Sequence, residues 1–104
     1  FQTIYEDHFQ AQDDLAERIK ALDGHAEGQL AKMLGKSKVA EHDGNAKAEA
    51  MIEYMMKAQE TVAATLAQAG ALAAEHGDTL TEDLCIARGQ THEKFAWMLR
   101  VHLR

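Results

Sequence analysis

A chain of 104 residues has room for one small domain and no more. It holds no proline, is rich in Ala, Leu, Met, Glu, Lys and Gln, and carries few β-branched residues and no alternating runs, which favours helix throughout and argues against a sheet. A formal net charge of −6 argues against a strong non-specific grip on nucleic acid or on an anionic membrane, and a single cysteine excludes an internal disulfide.

The first helical pattern runs over about 1–22. Stepping about 100° per residue, Phe1, Ile4, Tyr5, His8, Phe9, Ala11, Leu15, Ala16, Ile19 and Leu22 fall on one broad apolar arc. Phe1 already stands inside that pattern, which predicts a chain truncated at its start. Asp23-Gly24 ends the helix, with Gly24 suited to the left-handed position after it. Between 25 and 44 the periodicity weakens, glycines punctuate the chain, and Leu30, Met33 and Leu34 fit one or two helical turns. This connection is long enough to cross from one end of a helical bundle to the other. Asn45 can cap a helix over about 46–76, whose apolar face is carried by Met51, Ile52, Met55, Met56, Val62, Leu66, Ala69 and Leu72. Such a methionine-rich stripe reads as core filling. Thr79 with Glu82 reads as a capping box opening a last helix over about 80–103. Leu84, Ala87, Thr91, Phe95, Met98 and Val101 trace its inner side, and Gly89 offers room for a close contact. Cys85 sits among packing residues of that helix, and a reducing, cytoplasmic setting is the default for a chain without disulfides. No apolar run approaches transmembrane length, and the lysines Lys32, Lys36 and Lys38 are a thin basic cluster.

The chemistry-bearing stretch is Asp13 to Ile19. Asp13 and Glu17 stand at i and i+4, one turn apart on the same helical face. With Glu6, Gln2 and Gln10 they form a stripe at the edge of the apolar arc, a place that can meet an interface or an enclosed cavity as well as bulk water. Two anions so placed repel each other, and a hard cation between them relieves the repulsion. Carboxylate oxygens suit iron, manganese, magnesium and calcium. The ordinary explanation of such a pair is a solvated surface. His8 lies about 140° from Asp13 around the helix, so it reads as a packed or interface histidine and not as a ligand beside the acids.

Several stretches together resemble one family. Asp13-x-x-Ala16-Glu17-Arg18-Ile19-x-Ala21-Leu22-x-Gly24 is similar to the helix signature of the Dps proteins, the mini-ferritins. Gly28-x-Leu30 with Leu34-x-x-Ser37 resembles the segment linking that family's second and third helices, and Ala48-x-x-Met51-Ile52 the start of its third. Gly77-Asp78, Thr81-x-Asp83-Leu84 and His92-Glu93-Lys94-x-x-Trp97-Met98-Leu99-Arg100 resemble its last helix. The resemblance spans residues 1–104 as a single domain.

It implies an all-α, ferritin-like four-helix bundle with a short helix in the long crossover connection, the first helix of the bundle lying upstream of Phe1. It further implies a homo-oligomer, a hollow dodecamer, that oxidises Fe(II) with hydrogen peroxide or oxygen and stores the ferric mineral, protecting DNA from oxidative damage in a bacterial or archaeal cytoplasm, in some cases at the nucleoid. By the same resemblance Asp13 and Glu17 are metal ligands of a di-iron ferroxidase centre between two subunits, completed by partner-chain histidines that are not in this sequence. Asp83 matches an acid lining the family's threefold pores, where it would guide iron inward; a helix N-terminal acid favoured by the dipole is the alternative. Trp97 matches an aromatic near the centre, or is a core tryptophan. Glu6 belongs to an inner acidic surface or is simply solvated. Gln2 stands where a further acid is usual, and Ala26-Glu27 takes the place of a usual loop proline. Gln2 and the absent histidines favour a competing reading, a non-catalytic ferritin-like structural or interaction protein with a degraded metal site. Direct DNA binding, which some members achieve with lysine-rich tails, has no support in these residues.

Overall fold

The computed structural model describes residues 2–26, 28–39 and 47–103, and the chain divides into two compact units, Phe1–Ser37 and Lys38–Arg104. Four helices follow in order: α1 (Gln2–Ala21), α2 (Leu30–Lys36), α3 (Ala48–Glu75) and α4 (Thr79–His102). No strand occurs among the described residues.

In the first unit, α1 carries Arg18 and Lys20 in its last turn, where the carbonyl end of the helix favours cations. It stops by a Schellman closure: the Gly24 amide donates to the Ile19 carbonyl at 2.9 Å and the Asp23 amide to the Lys20 carbonyl at 2.9 Å. The left-handed residue is Asp23, at φ 64°, and not Gly24 as the sequence predicts. Aspartate tolerates that conformation better than most side chains. Gly24 is needed for space, because a Cβ there would lie 2.9 Å from Ile19 Cγ2. The broad apolar arc is only partly covered. Ala11 is buried and Ile4, His8, Leu15 and Ala16 are half-buried, whereas Tyr5, Phe9, Ile19 and Leu22 are exposed. The seven-residue α2 has no side-chain cap at Gln29 and closes with the Ser37 amide on the Met33 carbonyl at 2.9 Å.

In the second unit, α3 and α4 pack along each other as a hairpin. Its turn satisfies both helix ends within three residues. Gly77, at φ 72°, donates to the Ala74 carbonyl at 3.1 Å, and the Asp78 amide reaches the Ala73 carbonyl at 2.8 Å. Asp78 then caps α4, accepting from the Thr81 amide at 3.1 Å and from the Thr81 hydroxyl. The cap therefore sits one residue before the predicted Thr79, and Thr81 takes the reciprocal place assigned to Glu82. A carboxylate accepts a backbone N–H more strongly than a hydroxyl does, which settles the competition for Asp78. At the other end, Lys47 occupies the N-cap of α3 without a side-chain bond, and Asn45 lies outside the described residues.

Between the helices the buried residues are Gln59, Leu66, Gly70 and Ala73 on α3 and Cys85, His92, Phe95, Ala96 and Leu99 on α4. This rotates both predicted faces. On α4, Ala87, Met98 and Val101 are exposed and Leu99 is buried; on α3, Ala69 and Leu72 are exposed. A Cβ built on Gly70 would stand 3.3 Å from Cys85 Cβ, so the helices lie close there, while Gly89, which the sequence offers for a close contact, has open space. Burial of Leu66, Phe95 and Leu99 contributes about 1.5–3 kcal/mol each to holding the pair together.

Gly77→Ala forces a Cβ into the left-handed region and is expected to cost roughly 1–2 kcal/mol, read as a lower denaturant midpoint with an unchanged slope.

Candidate metal centre

The carboxylates singled out by the sequence share one face of α1. Asp13 and Glu17 are both exposed, and the helix holds their Cβ atoms roughly 5–6 Å apart. Neither is tied by a hydrogen bond or ion pair to another described residue, so both can turn toward a common cation. Their neighbours are engaged differently. Gln10 Nε2 donates to Asp14 Oδ1 at 3.2 Å, and Gln2 Nε2 donates to Glu6 Oε1 at 2.7 Å. The Gln2 amide thus occupies one oxygen of the acid nearest to it.

Two carboxylates on one turn make half a cation site. No cluster of three or more His, Cys, Asp or Glu able to hold a metal gathers among the described residues. Asp83 and Trp97 lie on α4, in the other unit. Asp83 is exposed and stands just beyond the first turn of α4, whose acid is Glu82. Trp97 is 57% exposed.

The sequence assigns no role to three polar residues on α3 and α4, Gln59, Arg88 and His92. Gln59 is 1% exposed and His92 5% exposed, the most thoroughly buried polar groups among the described residues. His92 Nδ1 lies 2.7 Å from Gln59 Oε1, and Arg88 Nη2 lies 2.9 Å from His92 Nε2. Gln59 Nε2 turns to the Met55 sulfur at 3.4 Å. The signal was available in the spacing, since Gln59 precedes Leu66 by seven and His92 follows Cys85 by seven. Tracing only apolar residues skips both.

Cys85 is buried in the same seam. Burial, and then the negative charge of Asp78, push its thiol above the ordinary value. The nucleophilic thiolate is therefore disfavoured, and Cys85 is a packing residue.

The whole chain, residues 1–104, matches the family model of the ferritin-like domain. General stress protein 20U of Bacillus subtilis is 35% identical over 99% of this chain and 71% of its own length. DNA protection during starvation protein 2 of Bacillus anthracis is 32% identical over 99% of this chain and 70% of its own. The crystal structure of Dps from Staphylococcus aureus superposes with a TM-score of 0.95 at 32% identity, over 100% of this chain and 70% of that one. The chain belongs to the Dps family of ferritin-like proteins. Its all-α class and ferritin-like four-helix-bundle type follow from that membership. In this Dps chain no described helix is long and apolar enough to cross a membrane.

A thiol so placed resists modification. Alkylation of Cys85 by iodoacetamide in the native protein is expected to run at least about tenfold slower than in denaturant. Because the thiol's native value is raised, the unfolded thiol ionises first, and the contribution of Cys85 to stability is lost as pH rises past the ordinary thiol range.

Proposed function

We propose that this chain oxidises Fe(II) and stores the ferric product as mineral inside a hollow homo-oligomeric shell, a dodecamer, so withholding iron from the chemistry that damages DNA. The observation that carries this reading is the exposed, untethered pair Asp13 and Glu17 on one face of α1, in a chain of the Dps family. Iron is the substrate. The two carboxylates supply part of its coordination, and a neighbouring subunit supplies the histidines that complete a centre for two ions. The mutual repulsion of the acids becomes attraction for a cation placed between them.

The same acids favour oxidation. As each iron goes from 2+ to 3+ its attraction to two fixed anionic ligands grows, so the ferric state is stabilised more than the ferrous one. With hydrogen peroxide the electrons balance over two ions: each Fe(II) gives one electron, the O–O bond breaks, and two hydroxides result. Removing Fe(II) and peroxide together removes both reagents of hydroxyl-radical formation. Protection of DNA then needs no grip on DNA, which suits a net charge of −6. The exposed Asp83 is assigned to an acidic pore that draws Fe(II) inward, Trp97 to the neighbourhood of the centre and Glu6 to the inner acidic surface. The setting is the bacterial or archaeal cytoplasm.

One feature supports the competing non-catalytic reading. Gln2 is neutral, offers a single acceptor oxygen, and already donates its amide to Glu6. A centre relying on that position would have one anion fewer.

The full-length protein and its Asp13→Ala/Glu17→Ala variant separate the two readings when ferric absorbance is followed under limiting peroxide. The initial rate is expected to fall by about tenfold or more, at least the loss that outer-shell changes cause at metal sites, with assembly size unchanged on a sizing column. Equal rates would leave the structural reading in possession.

A further inference from the structure

We propose that Lys20 limits how firmly the Asp13–Glu17 pair holds iron, repelling the ferric product more than the ferrous substrate and serving Glu17 as a counter-ion when the product leaves. This rests on the reading of that pair as the iron-binding acids. Along one face of α1, Gln2, Glu6, Gln10, Asp13, Glu17 and Lys20 follow one another at steps of three or four residues. Lys20 is the one cation of that stripe; Arg18 lies about 100° around the helix from Glu17. Three residues after Glu17, Lys20 is its neighbour one turn on, with Cβ atoms roughly 5–6 Å apart. Helical side chains lean back toward the N-terminus, so the long lysine stem covers the turn that carries Glu17.

Lys20 is exposed, and no hydrogen bond or ion pair of its side chain ties it to another described residue. It can reach Glu17 without breaking another contact. A surface ion pair is weak, so an arriving divalent ion displaces the ammonium readily. A cation in the last turn is also favoured by the helix carbonyls, but Arg18 shares that place. Only Lys20 combines it with a position on the acid stripe.

The consequence differs for the two states of iron. The acids alone favour Fe(III), and a centre that kept its product would turn over once. A fixed positive charge works the other way, because its repulsion grows with the charge of the metal and is about half as large again on Fe(III) as on Fe(II). At roughly 6–8 Å in water this repulsion weakens binding of a doubly charged ion by about five- to tenfold, and of a triply charged one by about ten- to thirtyfold, before salt screening. Lys20 exchanges no electron and no proton. As the ferric ion departs for the mineral, Glu17 regains a cation in the ammonium, and two facing anions are not left bare. Lys20 acts through Glu17 and is a positioning residue.

Co(II), titrated into the full-length protein at low salt without peroxide, reads the effect apart from any rate. Lys20→Gln is expected to bind Co(II) about threefold or more tightly than the wild type, with the difference shrinking as salt is added and abolished in Lys20→Arg. With Fe(II) and peroxide, the same Gln variant is expected to keep its first turnover and to slow about twofold or more in later ones, as ferric ions stay at the centre. Equal or weaker Co(II) affinity in Lys20→Gln would overturn the proposal, and a change in thermal stability alone would mark a lysine that serves only the helix end. The Asp13→Ala/Glu17→Ala variant separates the two failures. If it loses Co(II) while Lys20→Gln matches the wild type, the acids stand and the role of Lys20 falls; if it binds Co(II) as the wild type does, both fall.

Discussion

The backbone of α1 holds Asp13 and Glu17 one turn apart, and the functional account depends on that spacing. Two anions at i and i+4 oppose each other, a small cost that the helix bears because its hydrogen bonds fix the backbone whatever the side chains prefer. The exposure of both groups matters as much as their distance. A carboxylate already bonded, as Asp14 is to Gln10, must give up that bond before it can hold a cation. Asp13 and Glu17 have no such bond among the described residues, so a metal ion gains their full attraction. On the proposed reading one chain supplies only half of the site. Further ligands from a neighbouring subunit would make iron binding and assembly one requirement.

The α3–α4 hairpin solves a different problem, the joining of two long helices with few large side chains in the seam. Gly70 against Cys85 brings the backbones close, and Ala73 and Ala96 keep the seam narrow. A narrow seam leaves little apolar area, and the Gln59–His92 hydrogen bond at 2.7 Å supplies a directional contact in its place. Such a bond fixes which residues face each other, because a slip along the helix would leave buried donors without acceptors. The turn is equally specified: Gly77 and Asp78 close α3 and open α4 with no residue to spare.

Much of this was legible in the sequence because helices announce themselves through composition, period and punctuation. The absence of proline, Gly24 and Gly77 after the first two long patterns and the i, i+4 acids all translate directly into helix physics. The structure departs from the sequence pattern by one residue or one face. Asp23 rather than Gly24 takes the left-handed position, because glycine was needed there against Ile19. Asp78 rather than Thr79 caps α4, because a carboxylate outcompetes a hydroxyl for the same amide. The rotated faces have one cause. A broad apolar arc does not say which of its edges is inside. Gln59 and His92 stayed hidden because a polar residue in a core is recognised only through its partner, and the partner is 33 positions away.

The account stands or falls on where iron binds. Anomalous diffraction at the iron edge, from crystals of the full-length protein soaked anaerobically with Fe(II), locates the metal independently of any rate. An iron peak is expected within bonding distance of the carboxylate oxygens of Asp13 and Glu17, completed by ligands from a neighbouring subunit. Iron at other sites, with none at this pair, would contradict it.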